Sequence, residues 1–182
     1  KDPNSRGGSL KVHETAVEGA VFTVEGPRNH FPLDETAQPT VLLGGGIGIT
    51  PMIAMLEALI QQAEAGHPPL GEVVFLHAAR NGRELAFLDT LERWSRAHAW
   101  LHLHIALSRP SAADLVAGRH QSVGRLELVS LAGSLPELAS SHVYLCGSEG
   151  FMREQYASLL ALGLPREQLH HEFFGRGSLE DG

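Results

Sequence analysis

"VLLGGGIGITPM", residues 41–52, decides how this chain is read. An apolar run leads into Gly44, Gly45, Gly46 and Gly48, and then into Thr50 and Pro51. That order predicts a buried strand, a tight turn and a helix. Thr50 is a residue type that caps helix N-termini, and Pro51 suits the first helical position because its missing N–H would have no partner there. The turn is not the G-x-G-x-x-G fingerprint. Counted from Gly44 the third place is Ile49, and counted from Gly46 it is Pro51. A glycine turn feeding a helix N-terminus still lets the backbone approach a ligand and offers unpaired N–H groups. That chemistry suits a pyrophosphate or the edge of a nicotinamide.

Outward from this turn, strands and helices alternate. Residues 40–43 read as a short buried parallel strand. Residues 51–65 carry Met52, Ile53, Met55, Leu56, Leu59 and Ile60 at helical spacing, and Gly66 with Pro68-Pro69 stops that helix. Residues 72–76 are the next strand and 84–98 the next helix. Leu101, Leu103, Ile105 and Leu107 alternate along a third strand. A short helix is expected within 123–132, a fourth strand over 142–146, a helix over 150–162 and a last strand over 169–174. The fold class is therefore α/β, a five-stranded doubly wound parallel sheet with helices on both faces. Ahead of it, "AVFTVEG" (residues 20–26) reads as a strand, and 26–39 as a proline-punctuated loop.

Composition narrows the function classes. The 182 residues suit one domain, or one domain and part of another, and 43% of them are hydrophobic. A net charge of −7 argues against nucleic acid as the main partner. A single cysteine, Cys146, excludes an internal disulfide framework and a CxxC metal site. No apolar run reaches the roughly 18–20 residues of a membrane span, no signal-peptide pattern opens the chain, and the expected location is cytoplasmic. His102 and His104 share one strand face with no carboxylate or cysteine nearby in sequence, a weak metal signal, and His170 is followed by His171; no metal site is expected.

A second stretch repeats the first. "YLCGSEGF" (residues 144–151) is again strand, small-residue turn and helix. Two such turns at the carboxyl ends of parallel strands can form one crevice. The acidic residue expected after the second strand of a Rossmann unit is missing; His77, Ala78, Ala79 and Arg80 stand there. With "LSRPS" (residues 107–111), Arg80, Ser108 and Arg109 are candidates to meet an adenine ribose or its phosphates. Cys146, on its local sequence, reads as a small buried hydrophobe.

Taken together these stretches resemble the pyridine-nucleotide half of the ferredoxin–NADP reductase superfamily. "GGGIGITPM" is similar to its G-G-x-G-x-T/S-P turn, in which Thr-Pro takes the place of the third Rossmann glycine. "LCGSEGFM" resembles its C-G-P-x-x-F-M turn, with Ser148 where proline is usual, and "HHEFFG" resembles its closing strand. "GPRNHFPL" (residues 26–33) is similar to the joining stretch of oxygenase reductases such as phthalate dioxygenase reductase. "RGGSLKVHE" (residues 6–14) resembles the flavin-phosphate loop and short helix, and "HAARNGRELAF" (residues 77–87) is more similar to flavohaemoglobin reductase domains. The family's R-x-Y-S/T flavin motif is absent.

The resemblance implies a C-terminal part of an antiparallel flavin-binding β-barrel over 1–35, an NAD(P)-binding domain over 36–176, and a tail or start of a linker over 177–182. It implies an NAD(P)H-dependent flavin oxidoreductase. Hydride would pass from NADH or NADPH, with NADH favoured, to FAD or FMN. Electrons would then go singly to a 2Fe–2S ferredoxin, an oxygenase or a haem partner. On that reading Gly45, Gly46, Gly48, Thr50 and Pro51 line the nicotinamide and pyrophosphate path. Cys146 and Gly147 stand near the nicotinamide, while His77, Arg80, Ser108 and Arg109 face the adenosine half. Gly8 and Ser9 meet the flavin phosphate, and Glu172 and Phe174 lie by the isoalloxazine ring. Cys146 and Glu172 are the catalytic candidates. The competing expectation is a nucleotide-binding regulatory or interaction domain without redox work.

Overall fold

A computed structural model of the protein describes residues 8–25, 31–34 and 39–174. It divides into two compact units, Lys1–His30 and Phe31–Gly182. In the first unit, α1 spans Gly8–Thr15. The strand expected over 20–26 is not formed in its described part. Residues 20–25 run as irregular backbone, with Val21 95% exposed. Alternation alone does not make a strand, because each backbone N–H and C=O needs a partner ladder, and this unit supplies none among its described residues.

The second unit is a six-stranded sheet. β1 is Thr40–Gly45, β2 Val73–Ala79, β3 Leu101–Leu107, β4 Ser122–Val123, β5 His142–Gly147 and β6 Leu169–Phe173. The spatial order is β4-β3-β2-β1-β5-β6, and every pairing is parallel. β1 lies between β2 and β5 and is buried along its whole length. That explains why it reads as a continuous apolar run rather than an alternating one. Its side chains still alternate between two cores. Val41 and Leu43 join Val74, Leu76, Val143 and Leu145 under Leu128, Met152 and Leu159. Leu42 joins Phe75 and Tyr144 under Ile49, Met52, Leu56 and Leu91. Helices α2 (Ile49–Glu64) and α3 (Leu88–Ala97) thus cover one face. Helices α5 (Leu128–Leu131) and α6 (Glu149–Ala161) cover the other. The sheet is doubly wound, as the alternation predicts. No helix among the described residues is long and apolar enough to cross a membrane.

Three readings of the elements change. The sheet has six strands rather than five, because two-residue β4 pairs with Ala106 and Leu107. Just before β4, the Gln121 side chain accepts from the Ile105 N–H at 2.7 Å, doing with an amide what a longer strand would do with backbone. The short helix expected within 123–132 is Leu128–Leu131, bounded ahead by Gly124 at φ +110° and the extended Glu127. Helix 84–98 starts later, at Leu88, behind a single 3₁₀ turn Gly82–Glu84. A further helix, α4 (Ala112–Ala117), follows β3. Ser111 and Asp114 cap it reciprocally, with the Ser111 N–H donating to Asp114 Oδ2 at 2.8 Å.

The second of these cores ties residues 31–34 to the sheet. Tyr144 on β5 stacks on His170 of β6, with ring centroids 4.6 Å apart, and its hydroxyl accepts from the Asp34 N–H at 2.6 Å. Phe31 packs on the same tyrosine ring at 5.7 Å.

Candidate functional site

Because the strand order reverses at β1, the helices after β1 and β5 leave the sheet on opposite faces. A crevice opens between their starts, at the carboxyl ends of the strands. The first turn runs through a 3₁₀ turn, Gly46–Gly48, and α2 begins at Ile49 with Gly48 as its N-cap. Thr50 is therefore inside the helix rather than capping it, and Pro51 takes the third helical position, two places later than the first-position reading. Thr50 Oγ1 instead donates back to the Ile47 carbonyl at 3.0 Å. The glycines let the helical turn begin early: Gly46 adopts φ +56°, which L-residues avoid. Gly48 lies against β5 so closely that a Cβ there would overlap the Cys146 carbonyl. The two turns thus touch through backbone alone.

The second turn is Cys146–Gly147–Ser148, followed by α6. The half-buried Phe151 ring lies across both turns. A Cβ on Gly45 or on Gly147 would come within 2.6 Å of its edge. Glycine at those two places makes room for one aromatic ring.

The crevice holds about 690 Å³. Of the residues expected from the sequence, Gly45, Gly46, Arg80, Ser108, Gly147 and Phe174 line it. Arg109 does not. It lines a separate cavity of about 620 Å³ with Asn81, Asp114 and His120. Gly48, Thr50, Pro51, Cys146 and Glu172 stand outside the crevice lining, the first three beneath or beside the turn. Gly8 and Ser9 belong to the other unit, at the start of α1.

His77, expected on the adenosine half, is fully enclosed and stands outside the crevice lining, with Nδ1 3.0 Å from the Gly44 carbonyl of its register partner. Burial strips water from the imidazolium and pulls its pKa below 6.5, the Gly44 bond working the other way. A neutral ring with N–H on Nδ1 holds the end of β1 in place. Cys146 is also fully enclosed. Burial first, and the Glu172 carboxylate beside it second, push its thiol up to about 11. It is held as the neutral thiol at neutral pH.

Sequence reading missed Phe151, Arg125, Glu154 and Gln155, all of which line the crevice. Arg125 and Glu154 pair at 3.0 Å, as Arg80 and Glu84 do at 3.9 Å. Both crevice arginines therefore already have a carboxylate neighbour. The volume, the bare backbone of two turns and two helix N-termini together fit an elongated ligand with a central diphosphate.

Comparison with known proteins agrees. Residues 42–156 match the family model for the oxidoreductase NAD-binding domain. A flavohemoprotein from Chromobacterium violaceum is 36% identical over 165 residues, covering 90% of this chain. The chain spans 39% of that relative's length. Among solved structures, the flavohem-like FAD/NAD binding domain of nitric oxide dioxygenase from Vibrio cholerae is similar with a TM-score of 0.68 and 29% identity. That similarity covers 82% of this chain and 56% of the other. The cytochrome b5 reductase domain of Ulva prolifera nitrate reductase shares the fold, with a TM-score of 0.76 at 20% identity, covering 91% of this chain and 66% of the other.

Proposed function

This chain belongs to the family of oxidoreductase NAD-binding domains, and from its crevice we propose that it binds a reduced nicotinamide dinucleotide and delivers hydride from it to a flavin. The observation that carries this reading is the backbone contact between the two glycine turns, which makes one continuous floor at the switch point. The diphosphate lies over Gly46, whose missing Cβ faces open space and beside which the start of α2 favours negative charge. The nicotinamide reaches toward Gly147 and Phe174. The adenosine half extends toward Ser108 and Arg80. Phe151 and Leu126 close the wall and keep water off the bound nucleotide. The chain's contribution is to hold the nicotinamide in one attitude, since positioning is the larger part of a hydride transfer.

A bound flavin would accept the hydride and release electrons one at a time. The resemblance assigns residues 1–35 to its barrel, with Gly8 and Ser9 at its phosphate and Glu172 and Phe174 by its ring. Flavohemoprotein relatives support a haem as the terminal acceptor. To test this, the chain supplied with FAD or FMN is mixed anaerobically with NADH, then NADPH. Bleaching of the flavin absorption band is the expected result, and a flavin bleached by neither contradicts the reading.

NADH is the preferred donor. A 2′-phosphate adds about two negative charges beside Glu84 and Glu154, and both crevice arginines already face those carboxylates. Replacing both with glutamine is expected to shift the NADPH-to-NADH affinity ratio about tenfold toward NADPH, a change of about 1.4 kcal/mol. Dissociation constants for the two nucleotides check this; an unmoved ratio would place the 2′ position elsewhere.

A further inference from the structure

Gln155 sits in the second turn of α6, is 2% exposed and lines the crevice. Its Nε2 donates to the Leu126 carbonyl at 3.1 Å. That bond fixes the amide, because the opposite orientation would set two oxygens against each other. The acceptor, Oε1, is buried and meets no donor among the described residues. Buried acceptors are rarely left in this state. The two crevice arginines each have a carboxylate neighbour within the chain, Arg80 in Glu84 and Arg125 in Glu154.

We propose that Gln155 Oε1 is a recognition group for the bound nucleotide, accepting a hydrogen bond from one of its hydroxyl or amino groups. This rests on the nucleotide-binding reading given above. The chemistry narrows the contact. At neutral pH the phosphates carry acceptors and no donor, so the diphosphate cannot satisfy Oε1. The groups that can are a ribose hydroxyl, the adenine amine and the nicotinamide carboxamide. Gln155 therefore reads the sugar or base portion, while the glycine turns take the phosphates. The same side chain fastens the loop after β4 to α6 through Leu126. Nucleotide recognition and the closure of this wall are thus joined in one amide.

The experiment uses the full chain and equilibrium binding, which needs no flavin. NADH is titrated into the wild type, Gln155→Leu and Gln155→Glu, with thermal unfolding measured on each. Gln155→Leu removes both amide functions; Gln155→Glu keeps the acceptor and loses the donor to Leu126. Gln155→Leu is expected to weaken NADH about tenfold, with Gln155→Glu binding more tightly than Gln155→Leu although both lose the Leu126 bond. Repeating the titration with AMP and with nicotinamide mononucleotide assigns the contact, because only the fragment bearing the donor group loses affinity. If Gln155→Leu binds NADH within twofold of wild type while its melting temperature falls, the glutamine only holds Leu126, or a water satisfies Oε1, and the inference is overturned. A wild-type chain that binds no NADH would instead overturn the functional reading itself.

Discussion

Gly48→Ala is expected to destabilise the second unit by about 3 kcal/mol, near the upper end of what overpacking costs. The added methyl would meet the carbonyl carbon and oxygen of Cys146 and the amide nitrogen of Gly147. These are backbone atoms in the middle of a parallel sheet, so no side-chain rotation relieves the overlap. The ends of β1 and β5 would have to separate, and the floor of the crevice with them. Gly46→Ala is the contrast. Gly46 has φ +56° and open space where its Cβ would go, so that change carries backbone strain alone, about 1 kcal/mol. Urea unfolding of the two variants checks this, with NADH affinity as a second readout. Equal losses would mean that the turns do not depend on backbone contact at Gly48.

Stability is also expected to fall as the solution is acidified below pH 6.5. His77, His104 and His170 all have pKa values held below the ordinary 6.5, in each case chiefly by burial. A lowered folded-state pKa means that the unfolded chain takes up the proton first. The stabilisation is therefore complete above 6.5 and is lost as pH drops below it. While the unfolded chain holds one proton more, the loss is up to about 1.4 kcal/mol per pH unit for each histidine. His77 should contribute most, since it is fully enclosed and its neutral Nδ1–H serves the Gly44 carbonyl. His77→Gln keeps an N–H for that carbonyl and cannot titrate. Denaturant midpoints measured on either side of pH 6.5 should show a shallower acid loss for this variant. An identical slope would mean that His77 is reached by water and protonates in the folded chain.

Burial on both faces made the long strands legible, because a parallel strand covered by helices has few polar positions to confuse the pattern. β4 was not legible. Two residues carry no periodicity, and the Gln121 side chain that extends its pairing looks like any loop glutamine. The cap of α4 was written in the sequence as Ser111-x-x-Asp114, ending at Gly118 with φ +62°, and its signal is the spacing alone. At the site, the glycine turns announced themselves because their chemistry is local. Arg125, Glu154 and Gln155 did not, since they come from the loop after β4 and from inside α6, and only the tertiary fold brings them to the crevice. His77 misled for a related reason. A histidine at a strand end suggests a ligand contact, and only the register that sets it opposite Gly44 reveals a structural bond.

The central claim is that a nicotinamide dinucleotide occupies the crevice over the two glycine turns. Backbone amide shifts measured during a titration with NADH test this most directly, because the two large cavities differ in their residues. The account predicts shifts at Gly45, Gly46, Arg80, Ser108, Gly147 and Leu126. Shifts confined to Asn81, Ser111, Asp114 and His120, around the cavity that holds Arg109, would contradict it, as would no shift at all.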